Sequence, residues 1–317
     1  MTGQQIGRSL DEELDAVVVG GAGVDTNVYL HGDEIDWSVE SNFTRNIDCV
    51  GQAGGYASRL FAQLGKRTGY IGPVGDDHNG RLVREALARD GIDLTAVFVD
   101  AGGTNRSVNL MYRDGRRKNF YDGRGSMTLQ PDLELCRRVL ARTRLAHFSI
   151  VHWARHLLPI ARELGVFVAV DLQDVVDADD PYRQDFVDGA ELLLFSCVNH
   201  DDPTPVIDAY RRRNPQVICV VGMGARGAAL GTPDGVRFFG PVAHDQPVVD
   251  TNGAGDSLAV GFLASHVLDG YPLADAVLRG ELLARHTCTL LADSDRFLTR
   301  QELDDRFEAL RAHPSGR

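Results

Sequence analysis

The chain has 317 residues, a formal net charge of −12 and a hydrophobic content of 43%. That length supports one large α/β domain with a small appendage. The acidic balance argues against a nucleic-acid surface, but not against an anionic substrate, because a local basic site can coexist with a negative total. No apolar run reaches the roughly 18 residues of a membrane span, and the five cysteines are scattered without a Cys-x-x-Cys, as free thiols in a reducing cytoplasm would be.

Residues 1–14 lack the apolar centre of a signal peptide and read as a polar leader. Residues 15–20 form an apolar run that ends in glycines, the pattern of a buried strand. The following Gly20-Gly21-Ala22-Gly23 suggests a dinucleotide-binding turn, but Thr26 stands where the third glycine belongs and residues 27–30 are strand-like. No Walker-type phosphate loop occurs in the chain. Alternating residues predict short, one-face-exposed strands at 28–30, 35–39 and 46–50, and again at 107–112 and 118–121 around a turn at 113–115. These two patches, within about 26–50 and 104–122, can meet as one small sheet. Between them lie a helix carrying Ala57, Leu60, Phe61 and Leu64 and capped by Gly65, a helix over 80–90 and a strand over 94–99.

From 131 onward, apolar strands at 145–151, 166–172, 192–195 and 217–221 alternate with helices at 133–141, 157–164 and 205–213, the rhythm of a parallel sheet covered on both faces. Ligands in such sheets sit beyond the carboxyl ends of the strands, where Asp171, Ser196 and Asp250 fall. Val248-Val249 reads as the end of a buried strand. Asp250-Thr251-Asn252-Gly253 is turn chemistry, and a helix starts at Ala254 with Leu258, Phe262, Leu263 and Val267 at helical spacing. A helix start has backbone N–H groups without intrahelical partners, and its dipole favours negative charge. Small residues there admit an oxyanion or phosphate to those N–H groups, and Asp256 projects a carboxylate into the same place. A single acid at a helix start is ordinarily a cap. Two glycines that weaken the helix and a second acid at Asp250 favour transfer of a phosphoryl group to a hydroxyl. A mostly helical stretch over 274–292, a last helix over 303–310 and a loose tail complete the chain.

The run Asp250-Thr251-Asn252-Gly253-Ala254-Gly255-Asp256 resembles the Asp-Thr-x-Gly-Ala-Gly-Asp motif of the ribokinase-like (PfkB) carbohydrate kinases, with Asn252 at its variable position. The resemblance implies an α/β fold, a ribokinase-like three-layer α/β/α sandwich with a mostly parallel central sheet and a small β-sheet lid, over residues 15–310. It implies Asp256 as general base, also touching the substrate, and Gly253, Ala254 and Gly255 as the anion hole. It places Asp25, after the first strand, on substrate hydroxyls. Gly51, Gly54, Gly55 and Tyr56 fall at the substrate-binding helix start, Tyr56 standing where the family often has Asn. Gly222, Gly224, Arg226 and Gly227 match a Thr-x-Gly-x-x-Gly turn along the ATP phosphates, with Gly222 in place of Thr, and Asn252, Gly253 and Gly255 join them on ATP. Asn199 and Asp202, at 199–202, stand for an Asn-x-x-Glu that holds magnesium through water, and Asp250 orients the loop or a cation's water. ATP and magnesium are thus the implied cofactors, with room for a monovalent cation.

The implied reaction is phosphorylation of an alcohol on a sugar or polyol. Stacking by Tyr56 and Trp37 would make it a nucleoside kinase instead, and a non-catalytic binding protein of the same fold is the reading outside enzymes. No nucleic-acid or membrane partner is expected, the location is cytoplasmic, and exposed lid edges could pair two copies as a homodimer.

Overall fold

The computed structural model describes residues 13–244, 246–292 and 295–312. Most of the expected leader and tail, 1–12 and 313–317, lie outside the described residues. The strands in chain order are β1 (Leu14–Val19), β2 (Gly23–Leu30), β3 (Thr44–Gly51), β4 (Thr68–Val74), β5 (Asp93–Val99), β6 (Asn105–Met111), β7 (Arg117–Asp122), β8 (Thr143–Ser149), β9 (Phe167–Asp174), β10 (Leu192–Ser196), β11 (Ile218–Gly222), β12 (Ala228–Thr232) and β13 (Gly235–Phe239). The helices are α1 (Gln52–Gln63), α2 (His78–Arg89), α3 (Leu133–Leu140), α4 (Leu158–Glu163), α5 (Gln184–Gly189), α6 (Thr204–Arg213), α7 (Ala254–Leu263), α8 (Leu273–Thr287) and α9 (Arg300–Ala312).

Among the described residues, nine strands form one sheet in the order β13-β12-β11-β10-β9-β8-β1-β4-β5. Every neighbouring pair is parallel except β11–β12 and β12–β13. The sheet is apolar on both faces because helices cover both. Val18, Leu145, Ala169 and Leu194 pack on the side of α1, α7 and α8, whereas Val17, Val19, Phe148, Val170 and Phe195 pack on the side of α3 to α6. Each of the larger side chains among these contributes about 1.5–3 kcal/mol when fully buried. The three-layer sandwich expected from the sequence is the observed fold. No described helix is long and apolar enough to cross a membrane.

The lid is a second sheet of four strands, β3-β2-β6-β7. Its two halves join through parallel pairing of β2 with β6, from Gly23↔Asn105 to Tyr29↔Met111. Carboxylates pin the base of the β6–β7 hairpin. Asp77 accepts from Thr104 N (2.8 Å) and Thr104 Oγ1 (2.6 Å) while capping α2 through Gly80 N (2.7 Å), and Asp100 accepts from Gly125 N (2.8 Å). The lid therefore hangs on the end of the body sheet beside the carboxyl ends of β1, β8 and β9.

Some expectations are corrected. Residues 35–39 form no strand but part of a connecting loop, and Trp37 is 87% exposed. Val248 and Val249 are exposed and outside any strand, held by Val249 N on Cys288 O (2.7 Å). The run is apolar because it lines a groove with Tyr29, Met111 and Leu291, not because it enters the sheet. Helix α5 was not anticipated, its short polar sequence having no clear period.

One core residue sets an acid limit. His147 on β8 is fully buried with neither ring nitrogen hydrogen-bonded, and burial pushes its imidazole down to about 4. The folded state keeps it neutral while the unfolded chain takes up a proton below the ordinary value of 6.5. Its contribution is complete above that value and is lost as pH falls toward 4. Urea unfolding should show about 2 kcal/mol less stability from this residue at pH 5 than at pH 7. His147→Leu should remove that share of the pH dependence, and an unchanged slope would contradict the assignment.

Candidate active site

The loop before α7 is tied at both ends. Asp250, 3% exposed, accepts from Tyr29 Oη, from Asn252 N (2.8 Å) and from Ala292 N (3.3 Å). Asp250 thus ties the loop to the lid strand β2 and to the backbone at Ala292. Gly253 then takes φ 74°, in the left-handed region that glycine enters without penalty. That turn starts α7 with no side-chain cap on its first N–H groups. Gly255 is exposed, and a Cβ there would meet nothing within 4 Å, so the helix start is open to a ligand.

Asp256 sits one turn into this open end. It is partly buried, and its Oδ1 is buried without a hydrogen-bond partner. Burial first, then the charges of Asp171 and Asp25, push its carboxyl well above the usual range, and only Arg117 and a backbone hydrogen bond oppose them. A helix dipole near an exposed acid is worth about 0.3–1 kcal/mol, whereas burial can shift a carboxyl by several pH units. Burial outweighs the helix end here, and the carboxyl is held above the usual range. Asp171, expected at a strand end, lies within β9, which runs on to Asp174; it accepts from Gln173 N (2.8 Å) and Gln173 Nε2 (2.9 Å), and burial pushes it up to about 6.

Asp25 enters from the lid side. It lies on β2, 5% exposed, and accepts from Gln52 Nε2 (3.0 Å) and Gln52 N (3.3 Å). Burial raises its carboxyl as well. Gln52 also donates to Ser107 Oγ (2.8 Å), so a side chain that sequence reasoning assigned no role bridges the two lid halves at the carboxylate. Gly51 precedes α1, and a Cβ on it would lie 2.2 Å from Asp25 Oδ2. Gly54 N donates to Gly21 O (2.9 Å), which docks α1 on the loop after β1, and Gly55 makes only ordinary contacts.

Tyr56 is elsewhere. Its ring is 5% exposed, a Cβ on Gly253 would lie 3.1 Å from its Cδ1, it meets Phe297 edge-on, and its hydroxyl faces Cys49 Sγ at 3.6 Å. It is packing beneath the loop, which corrects its assignment to substrate. Asn252 is corrected too, because its amide turns to the lid: it accepts from Arg117 Nη1 (2.5 Å) and donates to Asn27 Oδ1 (2.9 Å).

On the far side, Gly224 and Gly227 bend the chain between β11 and β12 with φ of 59° and 89°, and Gly222 ends β11 beside Leu258. Arg226 does not point into free space. Its guanidinium donates to Asp201 O and His200 O, clamping the 197–201 loop. Asp202 accepts from Thr204 N (2.9 Å) at the start of α6, and Asn199 reaches Asp174 and Val175. Asp202 thus serves the backbone at the start of α6 while Asn199 turns to the end of β9. Among the described residues no three His, Cys, Asp or Glu side chains group as a metal cage.

Apart from Asp25, sequence reasoning missed the inward residues of the lid. Asn27 and Tyr29 on β2 and Ser107, Asn109 and Met111 on β6 alternate with outward residues as Asp25 does, and that period of two in a polar strand was the available signal.

Comparison with known proteins agrees with this geometry. The chain is 31% identical over 289 residues to the acarbose 7(IV)-phosphotransferase of an Actinoplanes species, covering 89% of this chain and 95% of that one. A microbiome-derived acarbose kinase superposes with a TM-score of 0.86 at 31% identity, over 93% of this chain and 99% of that one. The ribokinase of Arabidopsis thaliana, solved with ribose and ATP, has the same fold at a TM-score of 0.78 and 19% identity, over 93% of this chain and 99% of that one. The family model "pfkB family carbohydrate kinase" matches residues 22–180 and 186–295. With the motif loop, the lid and the two-layered helix cover all in place, the chain belongs to the PfkB family of carbohydrate kinases, which transfer phosphate from ATP to an alcohol.

Proposed function

We propose that the chain transfers the γ-phosphoryl group of ATP to a hydroxyl of a carbohydrate held between the lid and the carboxyl ends of the body strands. The observation that carries this reading is the orphaned Oδ1 of Asp256, buried at the open start of α7. Asp25 accepts from substrate hydroxyls in place of Gln52. The backbone N–H groups of Gly253, Ala254 and Gly255 receive the charge that develops on the phosphoryl oxygens. Asp256 takes the proton of the attacking hydroxyl as the new oxygen–phosphorus bond forms. The bond from the γ-phosphorus to the β,γ-bridging oxygen breaks, and ADP leaves. A carboxyl raised by burial is a better base once ionised than an ordinary aspartate.

A hard cation accompanying the nucleotide would be held chiefly by the phosphate oxygens, since no three His, Cys, Asp or Glu side chains group among the described residues. Magnesium would neutralise phosphate charge there. A monovalent cation beside the loop would draw on backbone carbonyls, Asp250 being engaged. The turn at Gly222, Gly224 and Gly227 would lie along the ATP phosphates.

The acceptor is read as a sugar or an oligosaccharide-like molecule, since relatives at 31% identity are named for acarbose. A nucleoside acceptor is disfavoured by the burial of Tyr56, which leaves no aromatic face for a base at that position. Phe120 and Val108, exposed on the outer face of the lid, favour a second copy covering it. Buried free thiols at Cys49, Cys136, Cys197 and Cys219 suit a cytoplasmic setting.

The test is ADP release from magnesium-ATP against monosaccharides, polyols, nucleosides and acarbose. Acceptor-dependent release abolished in Asp256→Asn supports the reading. Acceptor-dependent release that persists in that variant would remove Asp256 as the base, whereas ATP binding with no transfer to any acceptor would speak for a binding protein of this fold.

A further inference from the structure

Asn252 occupies the variable position of the phosphate-loop motif, yet it is buried and committed. It accepts from Arg117 Nη1 (2.5 Å), donates to Asn27 Oδ1 (2.9 Å) and lies 3.5 Å from Met111 Sδ. Asn27 Oδ1 also accepts from Asn109 Nδ2 (3.0 Å), and Asn109 Oδ1 accepts from Asn119 Nδ2 (2.7 Å). A line of amides thus crosses β7, β6 and β2 and ends on the residue before Gly253. Asn27 and Asn109 are 0% and 2% exposed. Asparagine is disfavoured in strands, and a buried polar network is costly unless its geometry is satisfied. Apolar residues would hold a lid closed without fixing where it lands, whereas amides fix its register.

The lid turn is rich in cations, at Arg113, Arg116, Arg117 and Lys118. Arg116 pairs with Glu34 and Asp114 on the outside. Arg117 is the neighbour that reaches the motif loop, and its charge is felt by both Asp25 and Asp256.

We propose that Arg117 and Asn252 are positioning residues that form a latch, through which closure of the lid sets the anion-hole loop in its working shape. With the lid down, the guanidinium and Asn27 hold both ends of the Asn252 amide, and the left-handed Gly253 and the N–H groups behind it are fixed. With the lid up, those bonds are absent and the loop is free to leave that shape. Phosphoryl transfer therefore waits for an acceptor that closes the lid, which protects ATP from water. The inference rests on residues 253–255 being the anion hole.

The experiment is a double-mutant cycle on acceptor-dependent ADP release, with kcat and KM separated. Arg117→Ala and Asn252→Leu should each lower kcat by roughly 30- to 300-fold with a smaller change in acceptor KM, and the double variant should lose no more than the worse single one. Asn252→Asp keeps the acceptor for Arg117 and should recover much of the rate. Ethylguanidine added to Arg117→Ala should recover part of it, and Arg116→Ala should behave as the parent enzyme. Losses that multiply in the double variant, or a rise in KM alone, would overturn the latch. Should Asp256→Asn keep its activity, the assignment of Asp256 as the base fails, and with it the reading of this loop as the reaction centre on which the latch rests. Should Asp256 prove essential while Arg117 and Asn252 act independently, only the latch fails.

Discussion

Asp256→Asn is expected to lower kcat by about three orders of magnitude, within the range for loss of a general base, and at the same time to raise the melting temperature. The two effects have one origin. In the resting site Asp256 feels the charges of Asp171 and Asp25, and its Oδ1 has no donor. An ionised carboxylate there is costly, so the amide relieves like-charge repulsion and removes a buried charge. A gain of about 1–2 kcal/mol is reasonable for such a site, where function is held against stability. That corresponds to a few degrees in a chain of this size. Calorimetry and steady-state kinetics on the same preparation check both. A variant that is slow because it is misfolded would melt lower. A variant that melts higher and turns over at the parent rate would remove Asp256 from the chemistry while confirming its strain.

The second large effect belongs to Asp25. Asp25→Ala should reduce kcat/KM for the acceptor by roughly 10²- to 10³-fold, mostly through KM, with ATP binding unchanged. A hydrogen bond to a charged acceptor is worth about 1.5–3 kcal/mol, and a carboxylate can take two hydroxyls of one sugar. Part of that value is offset because Gln52 N and Nε2 must give up the carboxylate. The loss is therefore nearer one and a half such bonds than two. Gln52→Ala would free Asp25 from this competition but unlink it from Ser107. A kcat effect without a KM effect in Asp25→Ala would mean that the residue acts on the reacting centre rather than on the ground-state acceptor.

Much of this enzyme could be read from its residues alone. Local chemistry determined the strand–helix rhythm, the small glycine-flanked helix start at 253–255 and the carboxylate that follows it, because turn conformation and helix-end donors depend on neighbours a few positions away. Even the existence of a second, small sheet followed from alternation in two separate patches. Tertiary structure decided what no spacing encodes. It turned Tyr56 under Gly253, where ring packing outweighs any call for a substrate contact. It gave Arg226 to the carbonyls of His200 and Asp201, and Asp202 to Thr204 N, satisfying nearby backbone groups first. It brought Asp25, Asp171 and Asp256 together across more than 200 residues, so that burial, invisible in a local window, raises all three carboxyls and the charges of the other two raise Asp256 further. It also carried Arg117 from the lid edge onto Asn252, since a parallel pairing of β2 with β6 sets which side chains face inward. Periodicity within an element is a property of the chain, but the partner of each side chain is set by register and crossover, which only the folded molecule specifies.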